Sequence, residues 1–325
     1  NEMLSFLKQP LQDISISRTN ERARNWGVPV PGDDSQRIYV WFDALNIYQS
    51  GIGFGWDEST YKKWWPADVH LIGKGILRFH AVYWPAFLLS ARLTLPKSIL
   101  VHGYITVGGQ KMSKTVGNVL DPFEIIQKYG VDPLRYYLLR EIPSGEDGDF
   151  SEEKLTARYN GDLANGLGNL GARITALGEK ISPIHFEFSA EGGSPPEADG
   201  PRAHASGGKK DIEKEIDVAC DEVFKRYESR MEEFKLNEAL ADIWRLVSAG
   251  DKYINEKKPW SIKSEAELRR VIVNAAYIVG AIANMLEPFL PETADKIREQ
   301  ILLEDSVMKI KKGASLFPRM DKTPH

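Results

Sequence analysis

The stretch DVHLIGKGILRFHAVYWPAFLLSARLTLPKSILVHGYITV, Asp68 to Val107, decides the fold. DVHLIG (Asp68–Gly73) reads as a strand, an aromatic-rich helix runs over about Leu77–Ala91, and SILVHGYITV (Ser98–Val107) reads as a second strand. Strand, helix and strand in that order predict a right-handed crossover and a parallel sheet. Ligands of such sheets sit beyond the carboxyl ends of the strands. Both GKG (Gly73–Gly75) and GGQKMSKTVGN (Gly108–Asn118) fall there. Pro85 removes a donor from the middle of the predicted helix and predicts a kink near Ala81. Upstream, RIYVWF (Arg37–Phe42) reads as a further strand.

From Asp121 the signals become helical. DPFE offers Asp121 as N-cap, Pro122 at the first helical position and Glu124 for a capping box, and DPLR repeats the start at Asp132. Phe150, ahead of Ser151, is placed to staple onto Leu155 and open a long helix. Its Leu155, Tyr159, Leu163, Leu167, Leu170, Ile174 and Leu177 recur at steps of three and four and form a core face. At 100° per residue, Asp162, Asn165, Asn169 and Arg173 form a polar ridge beside that face. The run from 189 to 210 has linker chemistry and predicts a flexible loop. Helices are then expected near Asp211–Phe234, Glu238–Ile254 and Glu265–Leu286, with a short one from Pro291. The second part of the chain therefore reads as a helical bundle.

At 325 residues the chain exceeds one compact core, and its 42% hydrophobic and 27% charged residues are those of a globular protein. The net charge of −4 requires any nucleic acid to be met by a local surface and not by a general positive field. A single cysteine, Cys220, excludes an internal disulfide and fits a reducing compartment; its place in an apolar helical stripe predicts a buried small hydrophobe. The histidines lack metal-ligand spacing, so no protein-bound metal is expected in the chain. No apolar run reaches the ~18 residues of a membrane span, and a cytoplasmic protein is expected.

GGQKMSKTVGN places Lys111 and Lys114 three apart in a segment flanked by glycines. A turn that only had to stay wet could carry almost any polar residue there, and taken alone the tetrapeptide KMSK suits a solvated hairpin tip as well as a site. HGYITVGGQKMSKTVGNVLDP (His102–Pro122) resembles the KMSKS signature region of the class I aminoacyl-tRNA synthetases, with Thr115 in place of the final serine. YVWFDALNIY (Tyr39–Tyr48) and LIGKGILRFHAVYWPAFL (Leu71–Leu88) resemble the methionyl members of that class, and the likeness extends through nearly the whole chain.

The resemblance implies a partial Rossmann-like α/β nucleotide-binding fold followed by an all-α helical-bundle anticodon-binding domain. Residues 1–118 would be the C-terminal half of the catalytic domain, 119–150 the connecting stem-contact helices, and 151–325 the anticodon-binding domain. It also implies ATP, carried as its Mg2+ complex, L-methionine and tRNA(Met) as partners. Lys114 would stabilise transition-state charge with Lys111 assisting on the phosphates, Met112 packing the loop down and Ser113 donating locally. Gly73, His102, Gly103, Tyr104 and Ile105 would lie along the nucleotide, and Arg18 resembles an arginine of the family. Methionine would be lined by Trp41, Ala44, Leu45, Tyr48, Phe79, His80 and Trp84. His80 and Trp84, four apart, share a helix face, while Trp41 and Tyr48 are expected to leave the end of a strand. Asn169, Arg173, Pro259 and Trp260 would read the anticodon, since amide edges, a guanidinium and an indole face suit single-stranded bases.

Two departures stand out. The family's usual GKD is GKG here, so Gly75 lacks a ribose-facing carboxylate; Gly75→Asp is expected to be tolerated and to lower the KM for ATP. The HIGH motif is absent, which implies that the N-terminal catalytic half is supplied in cis or in trans and that a sheet edge is exposed without it. Two other readings remain: an RNA-binding module with a vestigial half fold, and a synthetase for isoleucine, leucine or valine.

Overall fold

The computed structural model describes residues 2–113, 115, 117–185, 212–304 and 307–320. Lys114 and the expected 189–210 loop lie outside the described residues. The chain forms two compact units, Asn1–Tyr104 and Ile105–His325.

The first unit opens with α1 (Glu2–Leu7), followed by β1 (Ser17–Thr19), β2 (Pro29–Val30) and β3 (Asp33–Ile38), which form an antiparallel sheet in the order β1-β3-β2. The strand expected over Arg37–Phe42 ends at Ile38, and α2 (Val40–Ser50) begins two residues later. β-branched and aromatic residues favour strands locally, but burial overrides that preference. Trp41, Leu45, Tyr48 and Gln49 fall on one helical face, and of these Leu45 and Gln49 are buried. Helix α3 (Glu58–Trp64) is capped by Asp57, which accepts the Thr60 N–H.

The parallel pairing is as the sequence predicts. β4 (His70–Gly73) and β5 (Ile99–His102) run parallel in the register His70↔Ile99 to Gly73↔His102, with the helix between them in sequence. That helix is a 3₁₀ turn at Lys74–Ile76, a π-turn at Phe79–Tyr83 and α4 (Trp84–Ser90). The π-turn answers the expected kink: the Trp84 N–H reaches back to the Phe79 carbonyl, and Pro85 falls in the opening turn of α4, where no donor is needed. The core of this unit is small, built on Leu45, Trp65, Trp84 and Leu88.

The expected strand Ser98–Val107 is broken at Gly103–Tyr104. Its second half is β6 (Ile105–Val107), which belongs to the other unit and forms a hairpin with β7 (Gln110–Lys111). Asp121 caps α5 (Pro122–Tyr129) by accepting the Phe123 N–H. Asp132 does not cap its helix, as the repeated DP pattern suggested. Helix α6 (Val131–Glu141) starts at Gly130, which has φ +92°, and buried Asp132 instead accepts the Thr293 N–H at 2.7 Å and hydroxyl at 2.6 Å.

β8 (Gly148–Phe150) pairs parallel with β6 and leads into the long helix, which comprises α7 (Glu152–Arg158), a π-helical run Tyr159–Gly168 and α8 (Asn169–Gly178). Ser151 caps it by accepting the Lys154 N–H, and Phe150 and Leu155 are both buried, as expected. The bundle is completed by α9 (Lys214–Glu232), α10 (Leu236–Lys257), α11 (Glu265–Leu286) and α12 (Pro291–Gln300), close to the predicted spans. Cys220 is buried in α9. Unanticipated by the sequence, β9 (Ile184–His185), β10 (Ile301–Glu304) and β11 (Val307–Ile310) form an antiparallel sheet ordered β10-β11-β9.

The final described residues return to the π run as a strap. Tyr159 donates to the Pro318 carbonyl, Asn160 bonds both the N–H and the carbonyl of Met320, and Arg319 donates to Asn165 at 2.9 Å. Leu316 and Phe317 lie against Gly171 and Gly168.

Candidate functional site

In the first unit the expected lining residues gather around α2 and the π-turn. Trp41 and Phe79 stack at 4.0 Å with 11° between their planes, and Trp41 meets the His80 ring edge-on. Trp41 and Tyr48 are presented by a helix and not by a strand end, one face apart by seven residues. Trp41, Tyr48 and Phe79 are half-buried, Leu45, His80 and Trp84 are buried, and Ala44 is exposed on α2.

Tyr48, His80 and Trp84 each have a polar partner. His80 Nδ1 faces the Ile76 carbonyl at 2.9 Å, an acceptor only, so that nitrogen carries the proton. In the neutral ring Nε2 then accepts from the Tyr48 hydroxyl at 2.8 Å. Burial raises the Tyr48 phenol above its ordinary value and keeps it a donor. His70, at the start of β4, was not singled out from the sequence. It is buried, lies 4.3 Å from the Tyr48 ring, and accepts the Trp84 indole N–H at Nε2 over 3.3 Å. Burial, and then the nearby His80, lower its pKa, so it is neutral near pH 7. Trp65 packs edge-on against Trp84 and was also missed. A histidine within a strand carries no sequence signal that separates these roles; the contact with Trp84 does.

At the carboxyl ends of the parallel pair, Gly73 and His102 are register partners, and His102 Nδ1 lies 2.8 Å from the Gly103 carbonyl. A Cβ on Gly73 would sit 3.6 Å from the His102 ring, ordinary contact. Position 75 differs: a Cβ there would overlap the Tyr104 hydroxyl, and Lys74 lies over the Tyr104 ring at 4.8 Å. Gly75→Asp therefore requires the end of the Tyr104 side chain to shift. Arg18 stacks on Tyr39 at 3.9 Å and donates to the Ser15 and Ser17 carbonyls.

In the second unit Ile105 opens β6, and Lys111 lies exposed in β7 opposite Thr106. Asn118 closes the loop: its side chain accepts the Ser113 N–H at 2.9 Å and donates to the Lys111 carbonyl. The Ser113 hydroxyl accepts the Thr115 N–H.

In the bundle Asn169 and Arg173 stand four apart on α8. Arg173 bonds Asn255 at 2.7 Å and Asp251 at 3.4 Å, and its guanidinium lies 5.4 Å from the Trp260 ring centroid. Pro259 is buried and Trp260 is exposed, following Lys258 in the left-handed conformation. The predicted ridge does not hold at Asp162. Its carboxylate accepts from the buried Tyr136 hydroxyl and from Arg158, because π-helical spacing over Tyr159–Gly168 turns it toward the protein.

The profile of tRNA synthetases class I (M) matches residues 1–175, more than half of the sequence. The chain belongs to that family. The profile described as the anticodon binding domain of methionyl tRNA ligase matches residues 203–318. Among similar proteins, the methionine–tRNA ligase of Thermotoga maritima is 41% identical over 95% of this chain and 46% of its own length. That of Clostridium acetobutylicum is 40% identical over 99% of this chain and 50% of its own. A solved structure of Mycobacterium tuberculosis methionyl-tRNA synthetase in complex with methionyl-adenylate superposes with a TM-score of 0.82 at 35% identity, covering 98% of this chain and 62% of that one. This class I chain thus spans about half the length of the curated relatives it matches. Among its described residues no helix is long and apolar enough to cross a membrane.

Proposed function

We propose that the complete enzyme carrying this chain is a methionine–tRNA ligase. It activates L-methionine with Mg2+–ATP to methionyl-adenylate and transfers the methionyl group to tRNA(Met). The observation that carries this reading is the ring cluster in which Trp41 stacks on Phe79 while the Tyr48 hydroxyl bonds His80. A thioether is polarizable and packs against ring faces and edges. A branched aliphatic side chain would leave the Tyr48–His80 pair without use, which disfavours isoleucine, leucine and valine.

In this reading Trp41, Ala44, Leu45, Tyr48, Phe79, His80 and Trp84 form the methionine site, and Gly73, His102, Gly103, Ile105, Lys111, Ser113 and Lys114 serve ATP. A methionine carboxylate oxygen attacks the α-phosphorus, the bond to the bridging oxygen breaks, and pyrophosphate leaves. Charge gathers on the phosphate oxygens, where compact ammonium groups are most effective. Lys111 and Lys114 supply them. Asn169, Arg173, Pro259 and Trp260 read the anticodon, with the Arg173 guanidinium and the Trp260 ring offering one hydrogen-bonding edge and one stacking face. The first half of the catalytic fold lies outside this chain, in cis or in trans, and the enzyme works in the cytoplasm.

The test is methionine-dependent ATP–pyrophosphate exchange by the complete enzyme. Replacing Lys111 and Lys114 together by glutamine should abolish it. Full-speed exchange in that variant would overturn the catalytic reading, and tRNA binding without any exchange in the unaltered enzyme would favour an RNA-binding module.

A further inference from the structure

Asp149 has no part in the sequence reading, yet it holds the hairpin that carries Lys111. It is the middle residue of β8 and the register partner of Thr106 in β6, which in turn stands opposite Lys111 in β7. One carboxylate oxygen, Oδ1, accepts the Gly109 N–H at 2.7 Å and the Thr106 hydroxyl at 2.8 Å. Gly108 and Gly109 have φ +60° and +73°, the pair of left-handed residues that a two-residue hairpin turn requires, and among the described residues no atom beyond the adjoining ones lies within 4 Å of a Cβ built at either. Glycine is needed there for conformation. A two-stranded hairpin of this length is marginal without an outside anchor.

The anchor is itself fixed. Tyr137, fully buried in α6, donates to the Asp149 carbonyl at 3.4 Å and accepts the Ser151 N–H at 3.0 Å. The Gly109 amide, followed by the Thr106 hydroxyl, holds the carboxyl below its ordinary range, so it is an anion at neutral pH. A hydrogen bond from a backbone amide to an ionised carboxylate is stronger than one to a neutral acceptor. Contacts therefore run unbroken from the helical core to the turn of the lysine hairpin.

We propose that Asp149 is the positioning residue of this hairpin: by fixing the Gly108–Gly109 turn and the strand opposite Lys111, it sets where the Lys111 ammonium stands when the triphosphate reacts. The inference rests on the function proposed above. Its test compares Asp149→Ala, which removes the acceptor, with Asp149→Asn, which keeps an oxygen without the charge, in the complete enzyme. Backbone hydrogen exchange is followed over residues 106–111, together with kcat and KM in methionine-dependent pyrophosphate exchange. Asp149→Ala should speed exchange of the Gly109 amide and lower kcat on the order of tenfold with the KM for methionine unchanged, and Asp149→Asn should recover part of both. Unchanged amide exchange, or faster amide exchange with full kcat, would overturn the proposal. If Asp149→Ala does not accumulate as folded protein, Thr106→Val removes one of the two donors at equal volume and carries the same expectation at smaller size. If the unaltered enzyme shows no methionine-dependent activity, the functional reading fails, and the hydrogen-exchange arm still decides whether Asp149 holds the turn.

Discussion

His70 decides whether Trp84 keeps its acceptor. The folded ring has a pKa below its ordinary 6.5 through burial and the neighbouring His80, so the unfolded chain binds this proton more readily. The groups facing it are His80, Tyr48, Trp65 and Trp84. Its contribution to stability is complete above pH 6.5 and is lost as the pH falls through the lowered folded value. Thermal unfolding compared at pH 7.5 and pH 5.5 should show a fall in the wild type that His70→Gln, which cannot titrate, reduces. At the other end of the chain, Trp260→Ala should weaken tRNA binding by ~1–3 kcal/mol while leaving adenylate formation intact, as read by filter binding beside pyrophosphate exchange. Gly75→Asp should lower the KM for ATP only when Tyr104→Phe accompanies it, because the hydroxyl now occupies the space a side chain needs. The roles proposed for Tyr48, His80, Arg173 and Trp260 come from the sequence through resemblance. His70 and Trp65 could not, nor could the approach of the Tyr104 hydroxyl to Gly75, because such features lie in which ring atom meets which, and a linear pattern does not encode that.

Helices were legible where their faces bury against the large core, and less so where local preference and packing disagree. YVWF looks like a strand residue by residue, yet Leu45 and Gln49 further along draw it into α2. The caps at Asp121 and Ser151 were legible because capping is a local event. Asp132 was misread because its partner, Thr293, is remote in sequence. The π-helical run was invisible, since steps of three and four suit the buried stripe in either geometry, but it moved Asp162 off the predicted ridge. Close packing also gives an element-scale prediction at Gly250 of α10. An added Cβ would lie 2.9 Å from Leu170 and 3.3 Å from Ile278, both side chains of the core. Gly250→Ala should destabilise the bundle by about 1–3 kcal/mol, measurable as a lower urea midpoint with unchanged slope.

At the scale of the whole molecule the two units differ in what they bury. The first rests on Leu45, Trp65, Trp84 and Leu88 and leaves Trp26, Trp56, Leu71 and Leu89 well exposed, whereas the second closes around a single extensive core. Urea should therefore unfold this chain in two steps, with near-ultraviolet signals of the tryptophan-rich first unit lost before the helical signal. The parallel pair and the bundle were both apparent from the order of apolar runs, but the β9–β11 sheet and the returning strap were not, because short strands joined across more than a hundred residues leave no periodic trace. That strap has a consequence for biosynthesis. Tyr159, Asn160 and Asn165 leave the ribosome long before Pro318, Arg319 and Met320, their partners. At common elongation rates the delay is on the order of ten to thirty seconds, during which the helix bearing Asn169 and Arg173 waits half-fastened for the last stretch of chain to emerge.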